Sequence, residues 1–473
     1  MVQCRSVFCL LNLTKKFNGF IIKVTLSGLE VIFMFDTKQL KRLIIPLIIE
    51  QVLAVTVGMA DIIMVSVTGE AAVSGVSLVD MINVLFMNLF AALATGGAVV
   101  TSQLIGHGDD ELACESAHQL QIISLILSVG IMLFSVIFCR GILIAVFAVD
   151  GEVLDYACKY FYISAASYPF LALYNSNAAL FRSMGNSKVS MYVSLLMNFI
   201  NISLNAVFVY VFNIGVVGVS TASFIARLVA AAVMSVLIRN QSLQVHIVKG
   251  TRLHLNRYMI KRILGIGVPN GLENSMFQFG RVIVVRVIAG FGTVQIAANA
   301  VANNIDAFGT IPGQAISLAM ITVVGQCVGA GDYKQAKYYI KKLIMVCYAI
   351  MVVLDGALLA GLPLILRVYN LSPETLSLAT KLIFIHNGCA MLLWPLSFTL
   401  PNALRASNDV RYTMVVAIFS MWVFRILFSY ILGKWLGWGA VGVWIAMVMD
   451  WIFRIIMFVY RYFSGKWMQN EIK

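Results

Sequence analysis

Pro46 and Glu50 recur as Pro269 and Glu273, and QLIGHGD at 103–109 recurs as QCVGAGD at 326–332, both at an offset of 223 residues (269 − 46 = 326 − 103 = 223). Lys38 and Lys261, Gly69 and Gly292, Asp109 and Asp332, Ala113 and Ala336, Arg182 and Arg405, and Met191 and Met414 keep the same offset. Near the ends it moves by one, NIGVVGV at 213–219 answering GWGAVGV at 437–443. A glycine-rich turn matches by chance, but a constant register over about 150 residues marks an internal repeat. The chain is therefore two homologous halves.

Each half is built of apolar runs about 20 residues long, the length that crosses a bilayer as a helix. Of the 473 residues, 60% are hydrophobic and 12% charged, whereas a soluble domain carries about 25% charge. The runs show no regular alternation, so strands are not expected and a membrane barrel is excluded. Twelve spans are predicted, at about 43–66, 76–100, 118–138, 156–180, 190–212, 216–238, 263–289, 298–326, 340–362, 380–402, 412–433 and 440–460. The fold class is an all-α membrane protein of twelve transmembrane helices in two homologous six-helix bundles. Because six is even, each half begins and ends on one side, so the repeats are parallel, related by an axis along the membrane normal. Such folds bind substrate near the midplane between the halves and expose it alternately by rocking.

The net charge of +13 lies in loops. The linker carries Arg239, Lys249, Arg252, Arg257, Lys261 and Arg262, and the 329–342 turn carries Lys334, Lys337, Lys341 and Lys342. These and most other loop cations fall on one side of the twelve-span topology, the acidic 103–117 turn being the exception. By the positive-inside rule both termini are cytoplasmic, in a multi-pass protein of the plasma (inner) membrane. The charge then reads as topology, with no nucleic-acid partner. The predicted domains are a leader at 1–37, an N-terminal lobe at 38–240, a cytoplasmic linker at 241–260, a C-terminal lobe at 261–465 and a cytoplasmic tail at 466–473. The leader does not resemble a cleavable signal. In a bacterial gene Leu29-Glu30-Val31 can be encoded by a ribosome-binding consensus just upstream of Met34, so translation is expected to start at Met34.

Acids inside apolar spans are costly, about 2.5–3.5 kcal/mol on insertion scales, and mark ion or substrate paths. Glu50 and Asp61 lie eleven residues apart on the first span, on one helix face and roughly 16 Å apart. Glu50 is echoed by Glu273, and that symmetry leaves a scaffold role and a cavity role equally open. Asp61 is answered only by Val284, which favours function. Asn198, Asn201 and Asn205 form one stripe of the fifth span, answered at the same offset by Met421, Phe424 and Phe428. With Asp61 they form a candidate site for a proton or a Na⁺ among oxygen ligands, and no other metal is expected. Interhelical hydrogen bonding, worth about 0.6 kcal/mol each, is the plainer role for the amides. Arg281 is expected to pair with Glu273 or Asp306. Asp80, Asp306, Asp355 and Asp450 are candidate partners for membrane arginines such as Arg227, Arg425 and Arg454. Arg281, Asp306, His386 and Trp394 join Glu50 and Glu273 as candidate cavity residues, and Tyr162, Tyr168 and Tyr174 carry less weight. The eight cysteines are scattered without a CxxC and read as buried thiols.

PxxxEQ and GMADIIMVS in the first span, QLIGHGD, FRSMGNSKVSM at 181–191 and WPLSFTLPNALRASNDV at 394–410 together resemble the multidrug and toxic compound extrusion (MATE) transporters over roughly residues 38–465. The resemblance implies a secondary antiporter that exports amphipathic, mostly cationic compounds in exchange for H⁺ or Na⁺, needs no cofactor, and works as a monomer in lipid. Asp61 matches the family's acid of the first helix. One family pattern in the fifth helix is Asn-xxx-Asp, where this chain has Asn201 and Asn205; in the tenth, one branch carries an acid where only His386 titrates here. A lipid-linked oligosaccharide flippase of related architecture and a non-transport membrane sensor are the alternatives. An enzyme is not expected, since no HExxH, GxSxG or P-loop occurs.

Overall fold

The computed structural model describes residues 14–17, 20–25, 28–147, 149–247, 254–369 and 371–469. Twelve helical spans are present where predicted. In the N-terminal lobe they are α1 (Thr37–Ser66), α2 (Glu70–His107), α3 (Asp110–Ile137), α4 (Gly151–Ala166 with Tyr168–Ser183), α5 (Ser187–Ala206, continued by the π turn Val207–Val211) and α6 (Gly215–Leu237). The C-terminal lobe has α7 (Arg257–Ala289), α8 (Thr293–Gly309 with Ile311–Gly329), α9 (Tyr333–Arg367), α10 (Pro373–Trp394, the π turn Pro395–Thr399 and Leu400–Ala406), α11 (Val410–Ser420 with π turns Met421–Leu427 and Ser429–Trp435) and α12 (Gly439–Phe463). Nine of the described helices meet the length and hydropathy of a bilayer span on their own. Helix α7 starts at Arg257, inside the expected linker, where the Asn256 side chain accepts from the amides of Tyr258 and Met259.

One departure precedes the bundle. Thr14–Phe17, Phe20–Thr25 and Gly28–Ile32 form a three-stranded antiparallel meander, so the expectation of no strands holds only from Thr37 onward. The physical reason is length: Ile21, Ile22 and Val24 make a β-branched stretch too short to cross a bilayer. Helix α1 opens with a capping box, the Asp36 side chain accepting from Gln39 N while Gln39 caps Asp36 N. Just before it, Met34 N donates to Gln335 Oε1 (2.8 Å) and Phe35 N to Tyr339 Oη (2.9 Å), tying the start of α1 to α9 of the other lobe.

The repeat is written into the backbone. Positive φ recurs at Gly69 and Gly292, Gly108 and Gly331, and Gly185 and Asn408, each pair 223 apart; Asn213 and Gly437, and Gly215 and Gly439, are 224 apart. The change of offset has a structural cause. Helix α11 holds two π turns where α5 holds one, and each i→i+5 turn absorbs an extra residue. The pseudo-twofold partners also cap alike, Asp109 accepting from Leu112 N and Asp332 from Gln335 N (both 3.0 Å).

There are two apolar cores, one around Leu120, Phe161, Tyr168 and Phe181, the other around Leu343, Tyr339, Trp451 and Phe458; the start of α7 (Met259, Ile263) packs into the first and the start of α1 (Leu43, Leu47) into the second. The lobes meet along α2 and α8, with α7 against α2 and α1 against α8. Glycine makes the approach close: a Cβ on Gly106 would sit 1.9 Å from the Gln326 carbonyl oxygen, and one on Gly329 would sit 1.9 Å from that of Gln103.

Candidate functional site

Asp61, near the end of α1, faces the amide stripe of α5. Its Oδ1 accepts from Asn205 Nδ2 at 2.6 Å, the same Nδ2 donates to Asn201 Oδ1 at 3.1 Å, and Asn201 Nδ2 donates to Ser223 Oγ of α6 at 2.8 Å. Asn201 and Asn205 are buried. The orientation of the Asn205 amide follows from its neighbour, because the opposite flip would set an oxygen against the carboxylate. Its oxygen is then left buried with no hydrogen-bond partner among the described residues. A carboxylate beside an unpaired amide oxygen, a second amide and a hydroxyl is an oxygen-rich donor set that fits a proton or a hard monovalent cation. Asn198, the third member of the predicted stripe, is buried on α5 but outside this chain of bonds, and its Nδ2 has no hydrogen-bond partner among the described residues.

A second acid stands behind the first. Asp80 of α2 accepts from Asn83 Nδ2 and Tyr160 Oη, both at 3.2 Å, and Tyr168 Oη donates to Asn83 Oδ1 at 2.7 Å. Arg227 of α6 attracts Asp61, Asp80 repels it, and the guanidinium donates to Ser167 Oγ at 2.7 Å, at the break of α4. Ser223, Asp80, Asn83, Tyr160 and Arg227 extend the site beyond the predicted residues. Asp80 carried a signal in the sequence, being an acid in a span whose repeat-mate, Asn303, is neutral. Tyr168 and Tyr174 are buried and Tyr162 is exposed.

Glu50 and Glu273 are spoken for by arginines. Arg182 Nη1 lies 3.1 Å from Glu50 Oε1, and Ser190 Oγ donates to Glu50 Oε2 at 2.9 Å. Arg405 Nη2 lies 2.5 Å from Glu273 Oε1, and Arg405 Nη1 donates to Asn402 at 2.8 Å. Arg182 and Arg405 are themselves repeat-mates, so one ion pair is built twice. The expected pairing of Arg281 does not form: Arg405 pairs with Glu273, and His386 Nδ1 lies 2.9 Å from Asp306 Oδ1. Arg281 instead donates to Asn303 Oδ1 at 3.5 Å.

In the C-terminal lobe His386 packs edge-on against Trp444 and Trp451. Asp355 is fully buried nearby, and neither of its oxygens has a hydrogen-bond partner among the described residues. Asp450 takes two of the membrane arginines, Arg454 at 3.0 Å and Arg425 at 3.6 Å. Trp394 stacks on Phe398 and lies over Gly313 in the lobe core. The described residues hold no cluster of three or more His, Cys, Asp or Glu suited to a metal, and the six described cysteines are free thiols.

Two six-helix lobes in pseudo-twofold relation, with a polar site inside the membrane span of one of them, define a polytopic transporter. The MatE family model matches residues 46–207 and again 269–431. Its two matches begin 223 residues apart and end 224 apart (269 − 46 and 431 − 207), reproducing the repeat and its one-residue slip. The chain belongs to the MatE family of multidrug transporters. An uncharacterized transporter YisQ of Bacillus subtilis is 26% identical over 436 residues, 90% of this chain and 94% of its own. A probable multidrug resistance protein NorM of Thermotoga maritima is 24% identical over 447 residues, 92% of this chain and 94% of its own. The fold matches the outward-facing conformation of a multidrug resistance MATE family transporter of the MOP superfamily, with a TM-score of 0.86 and 21% identity over 92% of this chain and 97% of that one.

Proposed function

We propose that the protein is a cation-coupled multidrug exporter of the plasma membrane, working as a single chain with both termini cytoplasmic and exchanging amphipathic compounds for H⁺ or Na⁺ by alternating access. The observation that carries the reading is the Asp61–Asn205–Asn201–Ser223 chain. It joins a carboxylate to a buried amide oxygen that has no hydrogen-bond partner among the described residues, and the acid has no counterpart at the equivalent place in the other lobe. Binding a cation there changes the charge and hydrogen bonding where α1 meets α5 and α6. Coupling follows when that cation and the exported compound favour opposite-facing states, since a ligand shifts a conformational equilibrium only by its differential affinity.

The test is dye efflux from proteoliposomes under a proton gradient alone and then a sodium gradient alone. One gradient is expected to drive efflux, and Asp61→Asn is expected to abolish it while thermal unfolding stays as in the parent protein. Undiminished gradient-driven efflux by a folded Asp61→Asn protein would rule the mechanism out.

A further inference from the structure

The pseudo-twofold axis carries the Asp61 site onto a pocket of opposite charge. In the C-terminal lobe a small, partly open pocket lies between α7, α8, α11 and α12, with Arg281, Arg425, Asn303 and Trp444 in its wall. Its lining answers the N-terminal site position by position. Val284 stands for Asp61 and Asn303 for Asp80 at the offset of 223, and Met447 stands for Ser223 at the offset of 224 that holds in the last helix. The acids have gone and two arginines have come in, Arg281 where the first half has Gly58 and Arg425 beside the position of Asn201.

The two guanidinium groups have hydrogen-bonding capacity to spare. Asp450 Oδ1 is taken by Arg454 Nε at 3.0 Å and by the Ser420 hydroxyl. Its Oδ2 lies 3.6 Å from Arg425 Nη1, an ion pair without a hydrogen bond, and that Nη1 has no hydrogen-bond partner among the described residues. Arg425 is held in place by the Phe277 ring, 5.1 Å from the guanidinium carbon. Arg281 is exposed, and its bond at 3.5 Å is to a neutral amide. Asp306, the other acid that attracts it, has His386 Nδ1 at 2.9 Å and makes no ion pair with Arg281. Arg281 and Arg425 are near enough to repel each other. The rest of the wall is apolar, with Val284, Val443 and Met447 alongside Trp444, whose indole N–H is spent on Asn299 Oδ1 at 3.0 Å.

We propose that this pocket binds the carboxylate of an amphipathic substrate, so that the transporter accepts compounds bearing an acid on an aromatic or aliphatic body. Guanidinium forks match the planar carboxylate and bind it through charge-assisted hydrogen bonds, and the apolar wall receives the body to which it is attached. The identity of the ligand as an exported compound rests on the proposed function; its binding does not require ion coupling.

The experiment uses the purified full chain in phosphatidylcholine nanodiscs, free of anionic lipid and of any gradient. The probes are rhodamine B, which carries a free carboxylate, and its ethyl ester, which does not, read by fluorescence polarisation. The acid is expected to bind about tenfold tighter than the ester, the worth of one charge-assisted hydrogen bond. Arg281→Gln should remove that preference without weakening ester binding, the ester being a net cation; Arg281→Lys should keep part of it. Arg281 is exposed, so both variants are expected to elute and unfold like the parent. Equal binding of acid and ester by the parent, or an Arg281→Gln change that weakens both alike, overturns the proposal. Asp61→Asn is expected to keep the acid preference while losing gradient-driven efflux, which separates a failure of the pocket from a failure of coupling.

Discussion

At the scale of residues, an ion pair built twice is better explained by holding the lobes in shape than by contact with a changing cargo. Glu273 and Arg405 are both buried and lie 2.5 Å apart. Removing one partner of such a pair strands the other in a medium that cannot solvate it, at a cost of about 3–5 kcal/mol. Arg405→Met is therefore expected to destabilise the protein by that amount. The double variant Glu273→Gln/Arg405→Met should lose much less than the sum of its singles and retain efflux. Denaturant unfolding of the four proteins checks this, and strictly additive losses would mean that the pair is not coupled. The same repeat that assigns these glutamates to the frame made Asp61 and the α5 amides legible in the sequence, because subtracting one half from the other leaves what only one half needs. Ser223 and Tyr160 left no such trace. Serine and tyrosine are ordinary in membrane helices, and only the rotation of α6 and α4 about their axes brings these two toward the acids.

At the scale of elements, the spans were legible from length and hydropathy, and their irregularities were not. The breaks at Ser167 and Thr310 and the π turns of α5, α10 and α11 depend on what packs beside them; only the slip from 223 to 224 hinted at the extra π turn. The glycines of the two QxxGxGD turns are a clearer case of sequence serving a contact. With a Cβ at 1.9 Å from a backbone oxygen, Gly106→Ala or Gly329→Ala must push α2 and α8 apart by roughly 1.5 Å to restore ordinary contact, and a backbone carbonyl cannot rotate away as a side chain would. Both variants are expected to insert and purify yet lose transport, whereas Gly130→Ala, whose Cβ meets nothing within 4 Å, should transport as the parent does. Dye efflux decides it: normal rates in Gly106→Ala would show that the helices need not meet this closely.

At the scale of the whole molecule, one of the contacts that fasten the two lobes to each other is used twice. Gln103 Nε2 of α2 donates across to the Ala406 carbonyl at the end of α10 (2.8 Å), and Gln326 Nε2 of α8 donates back to the Ser183 carbonyl at the end of α4 (2.7 Å). Gln103 and Gln326 are repeat-mates, as are Ser183 and Ala406, so the axis runs between the two bonds. Both lie at the end of the bundle that carries the basic loops, and any state open at that end must release both. Each bond contributes about 1 kcal/mol net, so Gln326→Ala should shift the lobe equilibrium by about fivefold toward that open state, and Gln103→Ala by more, since Gln103 also donates to Asn408 Oδ1 and accepts from Arg262, both at 3.1 Å. Spin labels at Lys188→Cys and Arg411→Cys, exposed repeat-mates on opposite lobes, report the separation in a background free of native cysteines. The parent is expected to show one short distance, and the double variant a second, longer population, with Gln103→Ala showing more of it than Gln326→Ala because Gln103 makes the additional bonds to Asn408 and Arg262. If the double variant keeps the parent's distribution, the glutamines do not hold the lobes together at this end.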